Sequence, residues 1–300
     1  MTEVAYPRSA AAARPLRALV DKLRDLWLAR ELLRQFVGKE LKVRYKQSFL
    51  GVLWSFITPA AMTLVFTVVF AFIIRINVED FAAFFISGYL VWQFFQNSVG
   101  GSIDSIVGNG NLVKKVYFPR EVLPLSIVLS QFVHLLLAML VVAPYVFWVR
   151  GAGVATHLPV LVIGLILLGI FTSGVSMLLA GANVFFRDLR ELMGVLFMVW
   201  FYATPVIYPT AMVERALEQN VSVAETFQWV QAANPMTWYV GWVRGALYGE
   251  IELVNGAYVP TSQVWPDPLT ITMAVGWALG AFIIGYAAFL RFARNFAKEV

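Results

Sequence analysis

Long uncharged stretches separated by tight clusters of charge dominate the pattern along this chain. A bilayer's hydrocarbon core, about 30 Å thick, is crossed by about 20 helical residues. Six stretches free of Asp, Glu, Lys and Arg are long and apolar enough: 47–74, 81–103, 122–149, 151–186, 192–213 and 268–290. Within them, spans are expected near 50–74, 81–103, 122–149, 158–186, 192–213 and 268–290. Lipid offers no partners for bare backbone groups, so each span must be helical. The expected fold class is an all-α membrane protein with six transmembrane helices.

A seventh stretch, 226–243, is shorter and carries Gln228, Gln231, Asn234 and Pro235. Pro235 would break a helix at mid-depth. With Trp229, Trp238, Tyr239 and Trp242 nearby, it reads as a re-entrant or interface-lying pair of short helices between spans five and six. At the other end, residues 1–15 are rich in Ala and Arg with two prolines, and are expected to form a disordered tail. From Leu16 onward, Leu19, Val20, Leu23, Leu26 and Trp27 fall at helical spacing, while Arg17, Lys22 and Arg24 occupy other faces. Residues 16–46 therefore read as an amphipathic cytoplasmic interface helix, lying on the anionic leaflet or packed on protein. Nothing here has the apolar run and small-residue cleavage site of a signal peptide. Residues 47–300 form the six-helix domain.

Composition agrees with this reading: 60% of the 300 residues are hydrophobic and 14% charged, against about 25% charged in a soluble domain. Six spans put every Lys and Arg except Arg75, Arg150, Arg215 and Arg244 on one side. Cytoplasmic loops collect Lys and Arg, so that side is cytoplasmic and holds both termini. A seventh span would expel Arg291, Arg294 and Lys298. Topology thus accounts for the net charge of +5 without nucleic acid.

Much chemistry is excluded. The chain has no cysteine, and its two histidines, His134 and His157, are too few for a histidine metal cluster. The spans lack the Asp, Glu, Lys and Arg that mark ion-coupled transport, and His134, in the third span, reads as a hydrogen-bonded structural residue. The lone Gly-Lys pair, Gly38-Lys39, precedes Glu40 and has no phosphate-loop spacing. Neither H-E-x-x-H nor G-x-S-x-G occurs. Asn220-Val221-Ser222 fits a glycosylation acceptor, a pattern short enough to arise by chance. No metal, cofactor or catalytic residue is expected, and energy for work must come from another chain.

Four blocks carry a resemblance. The first is Val43-Arg44-Tyr45-Lys46-Gln47-Ser48-Phe49-Leu50-Gly51-Val52-Leu53-Trp54, and the second runs from Asn111 through Lys114-Lys115-Val116-Tyr117-Phe118-Pro119-Arg120 to Pro124. The third joins Phe185-Phe186-Arg187-Asp188-Leu189-Arg190 to Tyr202-Ala203-Thr204-Pro205-Val206-Ile207-Tyr208, and the fourth is Asn234-Pro235-Met236-Thr237 with Arg244 downstream. Together, in this order, they resemble the permease subunits of ABC-2 type exporters of polysaccharides and polyol phosphates, a group that includes O-antigen, capsule and teichoic-acid exporters. The resemblance runs from about Gln35 to the C-terminus. It departs in the longer Ala/Arg-rich N-terminus and in Thr204-Pro205, where many relatives have Ser-Pro.

That resemblance implies the membrane half of an ATP-driven exporter in the bacterial cytoplasmic membrane, moving a lipid-linked cell-envelope polysaccharide outward. It implies a homodimer above two cytoplasmic ATPase subunits that hold the ATP and Mg. Lys114, Lys115, Tyr117, Phe118 and Arg120 then form a coupling loop, or simply a topology-setting basic loop, after the turn signal Gly108-Asn109-Gly110-Asn111. Arg187, Asp188 and Arg190 form a second cytoplasmic contact or a self-paired turn. The first and fifth spans would line the path, with Phe56, Phe66, Phe70, Phe197, Trp200 and Tyr202 as channel candidates or as ordinary packing. Arg244 could receive a lipid-linked pyrophosphate or pair with Glu250 or Glu252. Gly276 and Gly280 form a small-xxx-small pair suited to helix packing. A membrane glycosyltransferase or polymerase using outer carboxylates is the rival reading, followed by a secondary transporter.

Overall fold

The computed structural model describes residues 24, 26–45, 51–217 and 221–299. The expected tail 1–15, the start of the interface helix, the entry to the first span at 46–50, and Asn220 lie outside them. Helix α1 (Arg30–Tyr45) covers the end of that interface helix. The first expected span is α2 (Trp54–Thr67), which widens into a π-helical segment over Val68–Ile73. There follow α3 (Phe81–Ile103), short α4 (Gly110–Lys115), α5 (Val122–Arg150), one-turn α6 (Gly153–Thr156) and α7 (Leu158–Asn183). The C-terminal half holds α8 (Leu189–Ala203), α9 (Thr210–Ala216), α10 (Val221–Ala233), α11 (Pro235–Leu247), strands β1 (Ile251–Val254) and β2 (Ala257–Pro260), α12 (Pro268–Ala293) and α13 (Phe296–Glu299).

Among the described residues, four helices are long and apolar enough to cross a membrane: Phe56–Ile73, Val122–Arg150, Leu158–Asn183 and Pro268–Ala293. Helix α3 has 23 residues, but Gln93, Gln96 and Asn97 interrupt its apolar run. It is instead the hub of the bundle, with 17 of those 23 residues buried. The stretch 192–213 is not one helix. Helix α8 has 15 residues, about 22 Å, and stops at Thr204, which is extended at φ −97° and ψ 136°. Pro205 is the cause, because a proline disfavours helical geometry in the residue before it.

Helices α7 and α12 approach until their backbones nearly touch. A Cβ at Gly174 would meet the Ala281 carbonyl, and one at Gly285 would meet Gly174 itself. The expected Gly276 and Gly280 pair does not make this contact; a Cβ at either meets nothing within 4 Å. Gly285 does the packing because its face of α12 points at α7, while the Gly276/Gly280 face points away.

The pair α10 and α11 meets at Asn234, whose side chain accepts the Met236 N–H at 3.0 Å, with Pro235 in the first helical position. An N-cap followed by proline is a strong helix start, so the break expected at Pro235 becomes a corner. The hairpin β1–β2 turns at Asn255 (φ 50°) and Gly256 (φ 82°), the left-handed pair that suits two-residue hairpins. It is pinned to the loop after α2, since Tyr258 N–H donates to Asn77 O at 2.7 Å and Glu79 N–H to Tyr258 O at 3.0 Å.

Candidate functional site

Both ends of the bundle carry clusters of sequence-distant polar residues. At the basic end, a cleft of about 260 Å³ is lined by Asn111 and Lys114 on α4, Val184 and Arg187 in the turn after α7, and Glu299 on α13. The two cytoplasmic contacts expected separately, the 114–120 loop and the 187–190 turn, therefore face one cleft.

The loop itself divides in two. Lys114, Lys115 and Val116 are exposed, and Tyr117 is 82% exposed. Phe118 turns inward and stacks on Phe36 of α1, with ring centroids 6.3 Å apart and planes at 14°. Arg120 donates to the Ala293 carbonyl at the end of α12 and lies 5.8 Å above the Phe296 ring. The outward half can meet a partner, while the inward half is fastened to α1, α12 and α13.

The second turn does not pair with itself through Arg190. That guanidinium reaches Asp104 beyond the end of α3, Nη1 to Oδ2, at 2.7 Å. Asn183 at the end of α7 donates to Asp104 Oδ1 at 3.2 Å and to the Ile103 carbonyl at 3.1 Å. Asp104 thus ties α3, α7 and the start of α8 together. Arg187 is left lining the cleft, and Asp188 precedes the first turn of α8.

Most of the aromatic candidates pack on α3. Phe66 stacks on Phe85 at 4.7 Å and on Phe70 at 5.7 Å, and Phe70 stacks on Phe81 at 5.9 Å. Buried Phe197 meets Phe95 edge-on at 6.1 Å. Trp200 lies 5.1 Å from Phe95, and its Nε1–H donates to Asn234 Oδ1 at 2.7 Å. Phe56 is half-buried, and Tyr202 is exposed at the end of α8. The open faces of α2 and α8 are mainly aliphatic: Leu64, Val65 and Ile73 on the first, and Leu192, Val195 and Val199 on the second.

Arg244, on α11, is buried. Its Nη1 donates to the Pro205 carbonyl at 2.7 Å and its Nη2 to the Val206 carbonyl at 2.9 Å. The guanidinium carbon sits 3.9 Å from the Phe84 ring centroid. Its bonds go to carbonyls, not to the carboxylate of Glu250 or Glu252. The break at Pro205 explains this: the chain is non-helical at Pro205 and Val206, their carbonyls have no helical donors, and the planar fork of an arginine suits a pair of them.

Sequence reasoning missed Arg150. At the end of α5 its Nε donates to the Tyr248 carbonyl at 2.8 Å and its Nη2 to the Thr261 carbonyl at 2.5 Å. It also lies 5.2 Å from the Tyr248 ring. A lone Arg followed by Gly151 after 28 uncharged residues was a legible signal, since a cation at a helix C-terminus commonly clasps carbonyls.

Comparison with known proteins agrees with this architecture. Residues 31–248 match the family model described as ABC-2 type transporter. The chain is 34% identical over 215 residues to the O-antigen export system permease protein RfbA of Klebsiella pneumoniae, an alignment covering 69% of this chain and 76% of the relative. It is 34% identical over 209 residues to the protein of the same description from Myxococcus xanthus, covering 69% and 79%. The Polysialic acid transport protein KpsM of Escherichia coli is 22% identical over 179 residues, covering 57% and 67%. A bundle with four helices of membrane-spanning length, matched over most of its extent by one family model, belongs to the ABC-2 type transporter family.

Proposed function

We propose that this chain is the membrane-spanning half of an ATP-driven exporter of a lipid-linked cell-envelope polysaccharide. In this reading α3 and the α8 region complete six spans, both termini are cytoplasmic, and a second copy covers the open faces of α2 and α8. Two separate ATPase subunits dock at the basic end. The permease relatives that match most of the chain support the substrate class. The observation that carries the reading is the cleft where Lys114 and Arg187 converge beside exposed Lys115 and Tyr117.

The coupling mechanism follows from how the loop is fastened. A force applied at Tyr117 reaches α1 through the Phe118–Phe36 stack, and α12 through Arg120. The turn bearing Arg187 is tied to α3 through Arg190 and Asp104. A partner gripping the cleft would therefore move helix ends on both sides of it as a unit. Opening a path between two copies needs such rigid-body motion, because packed helices slide or rock instead of deforming.

The test is a Lys114→Ala/Lys115→Ala/Tyr117→Ala variant, which spares the inward-facing Phe118 and Arg120. It should insert and fold normally yet lose at least tenfold in ATP-dependent export, while the ATPase still hydrolyses nucleotide. Undiminished export would refute the coupling role. The glycosyltransferase reading would draw on Glu214, Glu250 and Asp267, which line a cavity of about 460 Å³ with Trp238 and Trp265. Retention of glycan export by a Glu214→Gln/Glu250→Gln/Asp267→Asn variant would count against that rival.

A further inference from the structure

A cavity of about 360 Å³ opens between α2, α3 and α5, and none of the roles above uses it. Its walls carry Gln93 and Asn97 one turn apart on α3, and Gln131 and His134 one turn apart on α5, with Trp54 of α2 facing them. Gln131 and His134 are buried. They lie roughly 14–18 Å along α5 from its first residue, at 1.5 Å per residue, well inside a helix of membrane-spanning length. Gln93 is half-buried and Asn97 exposed, and neither makes a hydrogen bond to a described residue, whereas Gln131 and His134 already have partners.

Amides with no described protein partner on a cavity wall are open to a ligand, and polar groups inside membrane helices usually mark a functional path. Among the described residues no Asp, Glu, Lys or Arg lines the cavity, so the described walls offer a phosphate or a free ion no charge to pair with. Amides and an imidazole both donate and accept, which matches hydroxyl groups. The indole of Trp54 adds an apolar ring face for C–H groups. The volume falls in the range of small-ligand pockets, about 300–1,000 Å³.

We propose that this cavity binds a neutral polyhydroxyl group through the Gln93 and Asn97 amides, beside the Gln131–His134 pair and with Trp54 stacked against it. A sugar ring and a lipid glycerol headgroup share that chemistry. That a sugar is the natural occupant rests on the export reading; the chemistry of the site does not.

The test uses the intact chain in phosphatidylcholine nanodiscs, with saturation-transfer NMR to methyl α-mannoside and to glycerol. Magnetisation should reach at least one probe. The transfer should fall at least fivefold in Gln93→Leu/Asn97→Leu, whose side chains suit a lipid environment. It should also fall in Trp54→Ala and recover in Trp54→Phe, so the proposal stays testable if the double variant fails to fold. Repeating the measurement with phosphatidylglycerol in the disc separates the sources. Competition by that lipid assigns the site to a glycerol headgroup, and an undiminished mannoside signal assigns it to a sugar. Absence of transfer to both probes, or transfer unchanged in both Gln93→Leu/Asn97→Leu and Trp54→Ala, would overturn the proposal. Because no ATPase is present, its failure would leave the coupling role intact, and failure of the coupling test would leave this binding result standing.

Discussion

Helices α2 and α3 are neighbours in sequence, yet they stand in opposite environments. Of α3, 17 residues in 23 are buried, including Phe84, Phe85, Trp92 and Phe95. Of the stretch Phe56–Ile73, only Pro59 is buried among the described residues. Lipid tails are as apolar as leucine, so hydrophobicity alone does not hold such a helix to its neighbours. What holds α2 is the Phe66–Phe85 and Phe70–Phe81 stacking along one edge. The contrast separates a finished interior from a surface that lipid, a second copy or a passing substrate must cover. The polar residues of α3 lie off its buried face: Gln93 is half-buried, Gln96 and Asn97 are exposed, and Gln96 accepts the Trp92 Nε1–H at 2.9 Å.

The contrast breaks most severely at Gly88. A Cβ there would collide with the Arg244 guanidinium and sit 3.2 Å from Val240. Gly88→Leu should yield no monodisperse protein on size-exclusion chromatography in detergent. Phe85→Ala removes a fully buried ring that stacks on Phe66 of α2 and on Phe81 and Tyr89 within α3, and should cost about 3–5 kcal/mol in a denaturant titration of micelle-bound protein. Phe72→Ala, on the open face of the π-helical segment that continues α2, should change the same titration by less than about 0.5 kcal/mol. Equal losses at Phe85 and Phe72 would erase the distinction. A modest effect is expected at Asp267, which caps α12 by accepting the Thr270 N–H at 3.2 Å. Asp267→Ala should cost about 1 kcal/mol or less. The Thr270 contact holds this carboxyl below the usual carboxylate range. The cap is therefore present above the ordinary Asp value near about pH 4, and is lost as pH falls through the lower folded value.

Charge placement made much of the helical layout legible. The stretches 81–103, 122–149 and 268–290 correspond to helices Phe81–Ile103, Val122–Arg150 and Pro268–Ala293, because charges mark where a helix leaves an apolar environment. The fifth stretch failed because freedom from charge says nothing about backbone continuity, although Pro205 was in plain view. The same proline explains why Arg244 could not be placed: its partners are carbonyls freed by the break, and carbonyls leave no mark in a sequence. Asn255-Gly256 was a readable hairpin signal that went unread beside the longer apolar pattern. At the basic end, the sequence named Lys114, Tyr117 and Phe118 as one loop. It could not separate the outward Tyr117 from the inward Phe118, since that division depends on Phe36, more than eighty residues away.

The central claim is that this chain supplies the path and a different polypeptide supplies the energy. The direct measurement is glycan movement in sealed proteoliposomes, with the purified chain alone and with a nucleotide-hydrolysing partner subunit added. The account predicts accumulation against a gradient only when both chains and ATP are present. Uphill movement by this chain alone would contradict it.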